Sequence, residues 1–242
     1  MKIYYAHGGG YTELGGMKEF LLKINSKFEY ERIFPAIASK PKPKRKNLNK
    51  KHPTIKSEDM GVSGKGKQGL FNKILKRLSA KKRDGEDVHI LVIIDDTDCK
   101  LSNSKIQRQF LNSVKEFEKQ AKALYKDIRI IFIWVEPEIE KWFCLDKSNC
   151  FPNKPCSSSK DLYRILDEFL QSYSYEYDYS KDACKEKFSE KFAQILEECE
   201  VLKHYSKKVD GALYLKKVNP FVIEQRDKFS APGIRKLKTL GG

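Results

Sequence analysis

The chain has 242 residues, of which 48 are Lys or Arg and 33 are Asp or Glu, so its formal net charge is +15. This length suits one sizeable domain, or one domain with a helical extension. The 40% hydrophobic and 12% aromatic content excludes a wholly disordered chain. No window approaches the roughly 18 uncharged apolar residues of a membrane-spanning helix, and the N-terminus lacks the apolar core of a signal peptide. We therefore expect a cytoplasmic protein whose six cysteines are reduced thiols.

The positive charge is concentrated in one segment. Residues 40–83 contain sixteen Lys and Arg against two acids, a net charge of +14, so the rest of the chain is nearly neutral. Such a segment is the usual electrostatic footprint of a protein that binds a polyanion. The alternative is a solvated loop whose charge keeps the chain soluble. We predict nucleic-acid contacts from Lys42, Lys44, Arg45, Lys46, Lys50, Lys51, Lys65, Lys67, Lys73, Lys76 and Arg77.

Hydrophobic periodicity predicts strands that alternate with helices in the first part of the chain. Strands are predicted at residues 2–6, 28–34, 88–94 and 128–135. Helices are predicted at about 15–26, 68–78, 104–125 and from Pro137 onwards. Beyond residue 160 the pattern is helical, over 160–172, 183–200 and 203–240.

The strands at 88–94 and 128–135 are apolar at nearly every position, which is typical of strands covered on both faces. We therefore predict an α/β fold with a mixed or parallel sheet, helices on both faces and a helical C-terminal part. The predicted organisation is an α/β domain at 1–150, with a basic insertion at about 36–83, and a helical region at 151–242 packed on it.

Acidic residues follow the two most apolar strands. Asp95, Asp96 and Asp98 follow the first of these strands, and Glu136, Glu138 and Glu140 follow the second. Glu13 follows the N-terminal strand across a glycine turn. Carboxylates that converge at one sheet edge repel each other unless a hard cation lies between them. Their oxygen ligands suit Mg²⁺ or Mn²⁺, although each acid taken alone is more typical of a strand end or a helix start, and only the groups together favour a metal site.

This arrangement resembles a TOPRIM domain, a Rossmann-like fold, and more narrowly a family of OLD-type TOPRIM-like bacterial proteins. The similarity is carried by residues 94–99 (IDDTDC), 136–146 (EPEIEKWFCLD), 205–208 (YSKK), 219–220 (NP) and 230–232 (SAP). The resemblance implies a Mg²⁺-dependent nuclease that works with an AAA-type or ABC-type ATPase in antiphage defence. It implies metal ligands at Glu13, Asp96, Asp98, Glu138 and Glu140, with Asp95 as the alternative register.

One position departs from the family pattern. TOPRIM domains have Glu-Gly directly after the first strand, whereas this chain has His7-Gly8. An imidazole does not replace a carboxylate on Mg²⁺, but it can bind Mn²⁺ or act as a general base. Either Glu13 takes over the missing role, with His7 as a catalytic base, or the site is inactive.

The remaining motifs point to structural roles. Cys144, Cys150 and Cys156 are separated by five residues each, wider than the usual two to four of paired zinc ligands. Cys184 and Cys199 fall in predicted helices, and we expect all six cysteines to be free thiols. The tyrosine-rich stretch 173–179 also contains acids, which favours a packing or partner surface over a nucleic-acid platform.

The sequence thus predicts a metal-dependent nuclease that cuts DNA, more readily than RNA, without a membrane partner. The alternative is a catalytically degenerate subunit that binds or senses nucleic acid for an ATPase. A third and weaker reading is a phosphate-transferring enzyme that acts on a small nucleotide. The sequence leaves a homodimer open.

Overall fold

A computed structural model describes residues 1–8, 10–36, 67–152 and 161–241, and the side chains of Lys67 and Gln68 are outside the description. The strands are β1 (Lys2–His7), β2 (Glu29–Phe34), β3 (Ile90–Asp96), β4 (Arg129–Val135), β5 (Tyr177–Asp178) and β6 (Ala183–Cys184). The helices of the first half are α1 (Tyr11–Ile24), α2 (Lys67–Arg83), α3 (Ser104–Leu124), α4 (Glu140–Leu145) and α5 (Lys147–Cys150). Those of the second half are α6 (Leu162–Ser172), α7 (Phe188–Glu198), α8 (Ala212–Lys217), α9 (Pro220–Arg226) and α10 (Ala231–Lys238), with a π-helical turn at Lys207–Gly211.

The central sheet is parallel throughout and has the strand order β2-β1-β3-β4. This confirms the predicted α/β fold, which is compatible with a Rossmann-like architecture. Because the chain builds outwards from β1 in both directions, the strand order reverses between β1 and β3. Ligands of open parallel sheets bind beyond the carboxyl ends of strands at such a reversal. Here that position is bordered by His7 and Gly8 after β1 and by Asp95 and Asp96 in β3.

Each face of the sheet buries its own hydrophobic core, because side chains alternate along a strand. Ile3 and Tyr5 of β1 face α1 and the C-terminal helices, where Trp142 and Phe192 are buried. The opposite face packs against α2 and α3 through a second set of side chains, namely Tyr4, Ala6, Leu91, Ile93, Leu70, Phe71, Ile74, Leu78 and Phe117. The C-terminal helices therefore complete a layer over the sheet.

Helix α1 begins at Tyr11, four residues before the predicted start, and this places Glu13 in its first turn. The predicted helix began with Gly15 and Gly16, although glycine weakens helices. Tertiary packing explains their presence: a Cβ on Gly16 would lie 2.8 Å from the Cβ of Leu215 in α8. The two helices are therefore closer than larger residues would allow.

Helix α2 extends from Lys67 to Arg83, beyond the predicted 68–78, and its apolar face packs on the sheet. It is the crossover between β2 and β3, so residues 67–83 belong to the layered fold. The Lys73 ammonium lies 6.0 Å from the ring centre of Phe34, the last residue of β2. The chain thus leaves β2 and re-enters α2 at the carboxyl edge of the sheet. Residues 37–66 lie outside the described residues.

Several predicted boundaries were wrong in the second half. Helix α4 starts at Glu140 and not at Pro137, after a cis peptide bond between Glu136 and Pro137. The predicted helix 203–240 is divided into the π-helical turn and three short helices. Asn219 caps α9 by accepting a hydrogen bond from the backbone amide of Phe221, which begins a new helix there.

The prediction of six free thiols was wrong for two of them, because Cys99 and Cys184 form a disulfide. Cys184 was placed in a helix but lies in β6, whose antiparallel pairing with β5 brings it against the loop after β3. The free cysteines Cys144, Cys150 and Cys199 are buried. Cys156 lies outside the described residues.

No helix within the described ranges is long and apolar enough to cross a membrane.

The contact between α10 and β4 leads to a stability prediction. A Cβ on Gly233 would overlap the carbonyl oxygen of Phe132 and lie 2.8 Å from Cγ1 of Ile133. Gly233→Ala should therefore lower the free energy of unfolding by about 1–3 kcal/mol, although alanine is the better helix former. Urea denaturation measures this value. The exposed Lys236→Ala on the same helix is the control, and equal stability of the two variants would contradict the close approach.

Candidate functional site

Six acidic side chains converge at the strand-order reversal. They come from the first turn of α1, the end of β3, the loop after it and the segment leading into α4, and they are Glu13, Asp95, Asp96, Asp98, Glu138 and Glu140. Burial raises the pKa of Asp96 well above its ordinary value, and the charges of Glu13, Glu140, Glu138 and Asp98 raise it further. The structure therefore brings together every acid that the sequence suggested as a metal ligand. We refer to these six residues as the acidic cluster.

Glu13 turns back over the N-terminus of its own helix. A Cβ on Gly10 would lie 2.8 Å from its Oε1, so this position needs a residue without a side chain. Burial raises the pKa of Glu13 to about 7, and the charges of Glu140 and Asp95 also raise it, against the backbone hydrogen bond and Lys207. Burial therefore favours the protonated form of Glu13 over a wider pH range than that of an exposed glutamate.

Glu140 is fully buried beneath the other acids. Its Oε1 accepts a hydrogen bond from the Tyr205 hydroxyl at 3.1 Å, while its Oε2 has no hydrogen-bond partner. Burial raises the pKa of Glu140, Glu138 adds to this, and Lys207 opposes both. Buried polar atoms without partners are rare in folded proteins and mark places where an ion or water is expected.

Lys207 supplies the positive charge within the acidic cluster. Its ammonium lies 3.2 Å from Glu138 and 3.5 Å from Glu140. Burial lowers the pKa of Lys207, but Glu140, Glu138, Asp96 and Glu13 together raise it above its usual value, so the ammonium stays protonated. Its side chain as a whole is 47% exposed, although the ammonium contacts two buried carboxylates.

The π-helical turn that carries Lys207 is held against the start of α1. The Thr12 hydroxyl donates to the carbonyl of Lys207 at 3.2 Å. A Cβ on Gly211 would lie 2.8 Å from the Tyr205 hydroxyl, so glycine lets this turn approach α1 closely. The same contacts place Tyr205 and Lys207 over the acids.

Asp95 of the acidic cluster and Glu136 beside it also have structural roles. Asp95 is buried with its Oδ1 where a Cβ on Gly8 would lie 2.5 Å away, so the turn after β1 must be glycine. Glu136 accepts from the backbone amide of Ser102 at 2.9 Å and from the Thr97 hydroxyl. These bonds join the ends of β3 and β4 and hold the loop that carries Asp98.

His7 is fully buried, and its ring stacks on Tyr5 with the centroids 6.4 Å apart. Burial lowers the pKa of His7 well below its usual value, and the charge of Arg32 lowers it further. The imidazole is therefore neutral, and it lies next to a cationic residue on the sheet face shared with Ile3 and Tyr5.

The hydrogen bonds of Trp142 explain why a tryptophan follows Glu138 and Glu140. Its indole nitrogen donates to Asp227 and to Ser230, both at 3.1 Å. Asp227 is buried and also pairs with Lys141 at 3.2 Å, while the Ser230 hydroxyl donates to the carbonyl of Trp134. The C-terminal tail thus fixes α4, and with it Glu138 and Glu140.

The basic residues predicted to bind nucleic acid are only partly described. Lys42, Lys44, Arg45, Lys46, Lys50, Lys51 and Lys65 lie outside the described residues. Lys67 begins α2, although its side chain is outside the description. Of the others, Lys76 is exposed on α2, and Lys73 and Arg77 are half-buried there.

From the sequence, Lys207 near Tyr205 fits equally a residue that lines a cleft and holds a phosphate or a residue on a solvated helix face. Nothing in their spacing links them to acids that precede them by more than sixty residues. Only the packing of the π-helical turn on α1 reveals that link.

The donor set fits a hard divalent cation in chemistry, because it consists of carboxylate oxygens that repel each other and includes the orphaned Oε2 of Glu140. In the arrangement of the described residues, no three His, Cys, Asp or Glu side chains are grouped closely enough to hold one metal ion. Binding would therefore need the carboxylates to move towards a cation.

The acidic cluster makes stability depend on pH. Glu13 has a raised pKa in the folded state, so between the usual 4.5 and about 7 the native protein holds a proton that the unfolded chain has lost. The free energy of unfolding of the metal-free protein should therefore fall as pH rises through this window and level off above it. Glu13→Gln should reduce this fall by about 3 kcal/mol, since its pKa rises from 4.5 to about 7 and each pKa unit corresponds to about 1.4 kcal/mol.

Chemical denaturation in EDTA at pH 4.5, 6 and 7.5 measures this dependence. The control is Glu116→Gln, which changes an exposed acid on α3. A wild-type stability that rises from pH 4.5 to 7.5 by the same amount in all three proteins would rule out a buried, protonated Glu13.

No family model, no curated protein and no solved structure matches this chain. A function is therefore proposed from the fold and the acidic cluster.

Proposed function

We propose that this chain is a TOPRIM-like protein that cleaves phosphodiester bonds of DNA or RNA with a divalent metal ion. The observation that carries the proposal is the acidic cluster around one lysine at the strand-order reversal of a parallel sheet. A role as effector in antiphage defence, with DNA as the favoured substrate, follows from the family resemblance alone.

The cluster offers ligands for Mg²⁺ or Mn²⁺ from three parts of the chain. Asp96 ends β3 and Asp98 follows it, Glu138 precedes α4 and Glu140 begins it, and Glu13 lies in α1. When bound, such a cation neutralises charge on the phosphate and activates a water. The deprotonated cluster is costly without a cation, so metal binding should release protons from Glu13 and Asp96.

Lys207 would bind a nonbridging phosphate oxygen. Its ammonium stays charged because of the surrounding carboxylates, and nearly half of its side chain surface is open to solvent. A phosphate that enters the cluster would meet this cation first. Its ammonium pairs with Glu138 and Glu140, the same acids that would hold the metal.

The basic segment would bind the nucleic-acid backbone away from the cleaved bond. Its described part is α2, in which the Lys73 ammonium lies 6.0 Å from the ring centre of Phe34, at the carboxyl end of β2. Phosphate contacts of this kind contribute affinity without sequence preference and weaken with added salt.

Cleavage of a supercoiled plasmid with Mg²⁺ or Mn²⁺ tests the proposal. Asp96→Asn and Glu138→Gln should each lower the cutting rate at least about 100-fold, because each removes a charged ligand while keeping its shape. Both variants should stay folded, since they relieve repulsion between buried carboxylates.

The matched control is Glu116→Gln, which removes an exposed acid from α3 and should cut at the wild-type rate. Circular dichroism and thermal unfolding verify the fold of each variant. Wild-type protein that cuts neither plasmid nor single-stranded DNA or RNA with either metal, alone or with an ATPase encoded next to it, would contradict the nuclease.

A second candidate is a catalytically degenerate subunit that binds or senses nucleic acid for an AAA-type or ABC-type ATPase. Two observations favour it. The residue at the position of the usual family acid, His7, is buried and neutral. In addition, Lys207 already neutralises Glu138 and Glu140, so the cluster has an internal cation in place of a metal.

Both candidates require nucleic-acid binding by the basic segment. Replacing Lys42, Lys44, Arg45 and Lys46 with glutamine should weaken binding of a 20-base-pair duplex at least about 10-fold at 100 mM salt. The slope of log affinity against log salt should become shallower by up to about 3, because fewer counterions are released. Fluorescence anisotropy across a salt series measures both quantities.

The control replaces four exposed lysines in the region of α3, at positions 115, 119, 122 and 126, with glutamine. It therefore has the same net charge as the first variant. Equal losses in both variants would show that only the overall charge matters. Unchanged binding in the first variant would leave the segment as a solubilising loop.

A further inference from the structure

The hairpin formed by β5 and β6 lies beside the loop that carries Asp98. The Cys99–Cys184 disulfide joins the hairpin to the residue that follows Asp98. Lys100 adds a second link, since its ammonium donates to the carbonyl of Asp182 at 2.6 Å and lies 3.4 Å from the carboxylate of the same residue. The hairpin is therefore fixed relative to the acidic cluster.

The pKa of Tyr177 also indicates that the hairpin lies near the acidic cluster. Burial raises the pKa of Tyr177, the hydrogen bond from its hydroxyl to Asp182 raises it further, and so does the charge of Asp98. The Asp98 carboxylate of the acidic cluster is thus close enough to raise the pKa of Tyr177 in the hairpin.

Tyr179 extends from this fixed base into solvent. Its ring makes an edge-to-face contact with Tyr177, at 5.3 Å between centroids, yet the side chain is 59% exposed. Within the described residues it is the most exposed large aromatic side chain. The Lys105 ammonium lies 5.6 Å from its ring centre. A supported ring with an open surface and a cation beside it is the usual form of a base-stacking position.

The acids of the tyrosine-rich stretch do not make this surface repel phosphates. Asp178 pairs with Lys181, at 3.3 Å, and accepts from Ser180, while Glu176 pairs with Lys185 at 3.0 Å. Asp182 is bound by Lys100, as described above. The lysines of the hairpin and of the α3 start therefore balance its acids, which the sequence pattern alone did not show.

We propose that Tyr179 stacks on a base of a single-stranded nucleic acid whose backbone passes over the acidic cluster. Lys105 and Lys181 would contact the adjacent phosphates. This inference deepens the proposed nuclease by naming unpaired nucleic acid as its substrate class. A ring of this kind needs an unstacked base, because bases inside a duplex offer only their edges.

The test is binding of fluorescent 20-mers to the full chain in EDTA, so that neither metal nor cleavage affects the result. Wild-type protein is compared with Tyr179→Ala and with the matched Tyr179→Phe, which keeps the ring. Tyr179→Ala should bind dT20 about 5- to 100-fold more weakly, the range of one stacked base. Tyr179→Phe should stay within about 2-fold of wild type, and a 20-base-pair duplex should bind all three proteins equally.

An abasic 20-mer of equal charge is the matched ligand. Without bases to stack, it should bind wild type and Tyr179→Ala equally. Parallel measurements with rU20 distinguish RNA from DNA, and a larger loss for either one identifies the preferred strand.

Three outcomes would overturn the inference: equal dT20 binding by wild type and Tyr179→Ala, an equal loss for the abasic 20-mer, or an equal loss for Tyr179→Phe. The first would leave the hairpin as a surface for a protein partner. Because binding is measured without metal, a Tyr179 effect in a protein that never cuts DNA would refute the nuclease while keeping the stacking position. Normal cutting of single strands with no effect of Tyr179→Ala on binding would keep the nuclease and refute the stacking position.

Discussion

The mutual repulsion of buried carboxylates beside one lysine is the constraint on which the rest of this structure depends. A parallel sheet whose strand order reverses between β1 and β3 brings acids from α1, β3 and the start of α4 to one edge. Burial raises the pKa values of Glu13, Asp96 and Glu140, and the charges of neighbouring acids contribute to each rise. Lys207 offsets part of that cost. An arrangement that is unfavourable without a ligand is what a site for a cation and a phosphate requires.

The surrounding fold keeps these acids in place against their repulsion. The indole of Trp142 and the ammonium of Lys141 bind Asp227, which fixes α4 to the C-terminal tail. Glu136 joins the ends of β3 and β4 by accepting from Ser102, so an acid that looks like a ligand by position serves as a link between loops. Within one short motif, Glu136 and Trp142 thus stabilise the fold, while Glu138 and Glu140 belong to the acidic cluster.

The chain also separates its charges by location. The acids lie at the carboxyl edge of the sheet, and the Cys99–Cys184 disulfide joins the hairpin with Tyr179 to the loop beside them. A nucleic acid bound by the basic segment would be directed towards Lys207 by the charge that remains accessible there. The two proposed functions, metal-dependent cleavage and metal-free sensing, would both use this geometry, and they would differ in whether the acids pair with Lys207 or with a cation.

The sequence by itself determined the α/β fold, because runs of apolar residues over 88–94 and 128–135 leave no polar face for solvent. It also determined which acids meet, since parallel strands end at one edge. Tertiary structure alone decided the partners of those acids: Tyr205 and Lys207 lie far from them in sequence and reach them only through packing on α1. Close approach between distant segments likewise set the packing of Gly15 and Gly16 in the first half of α1 and the pairing of Cys99 with Cys184. Local patterns contain no information on such contacts.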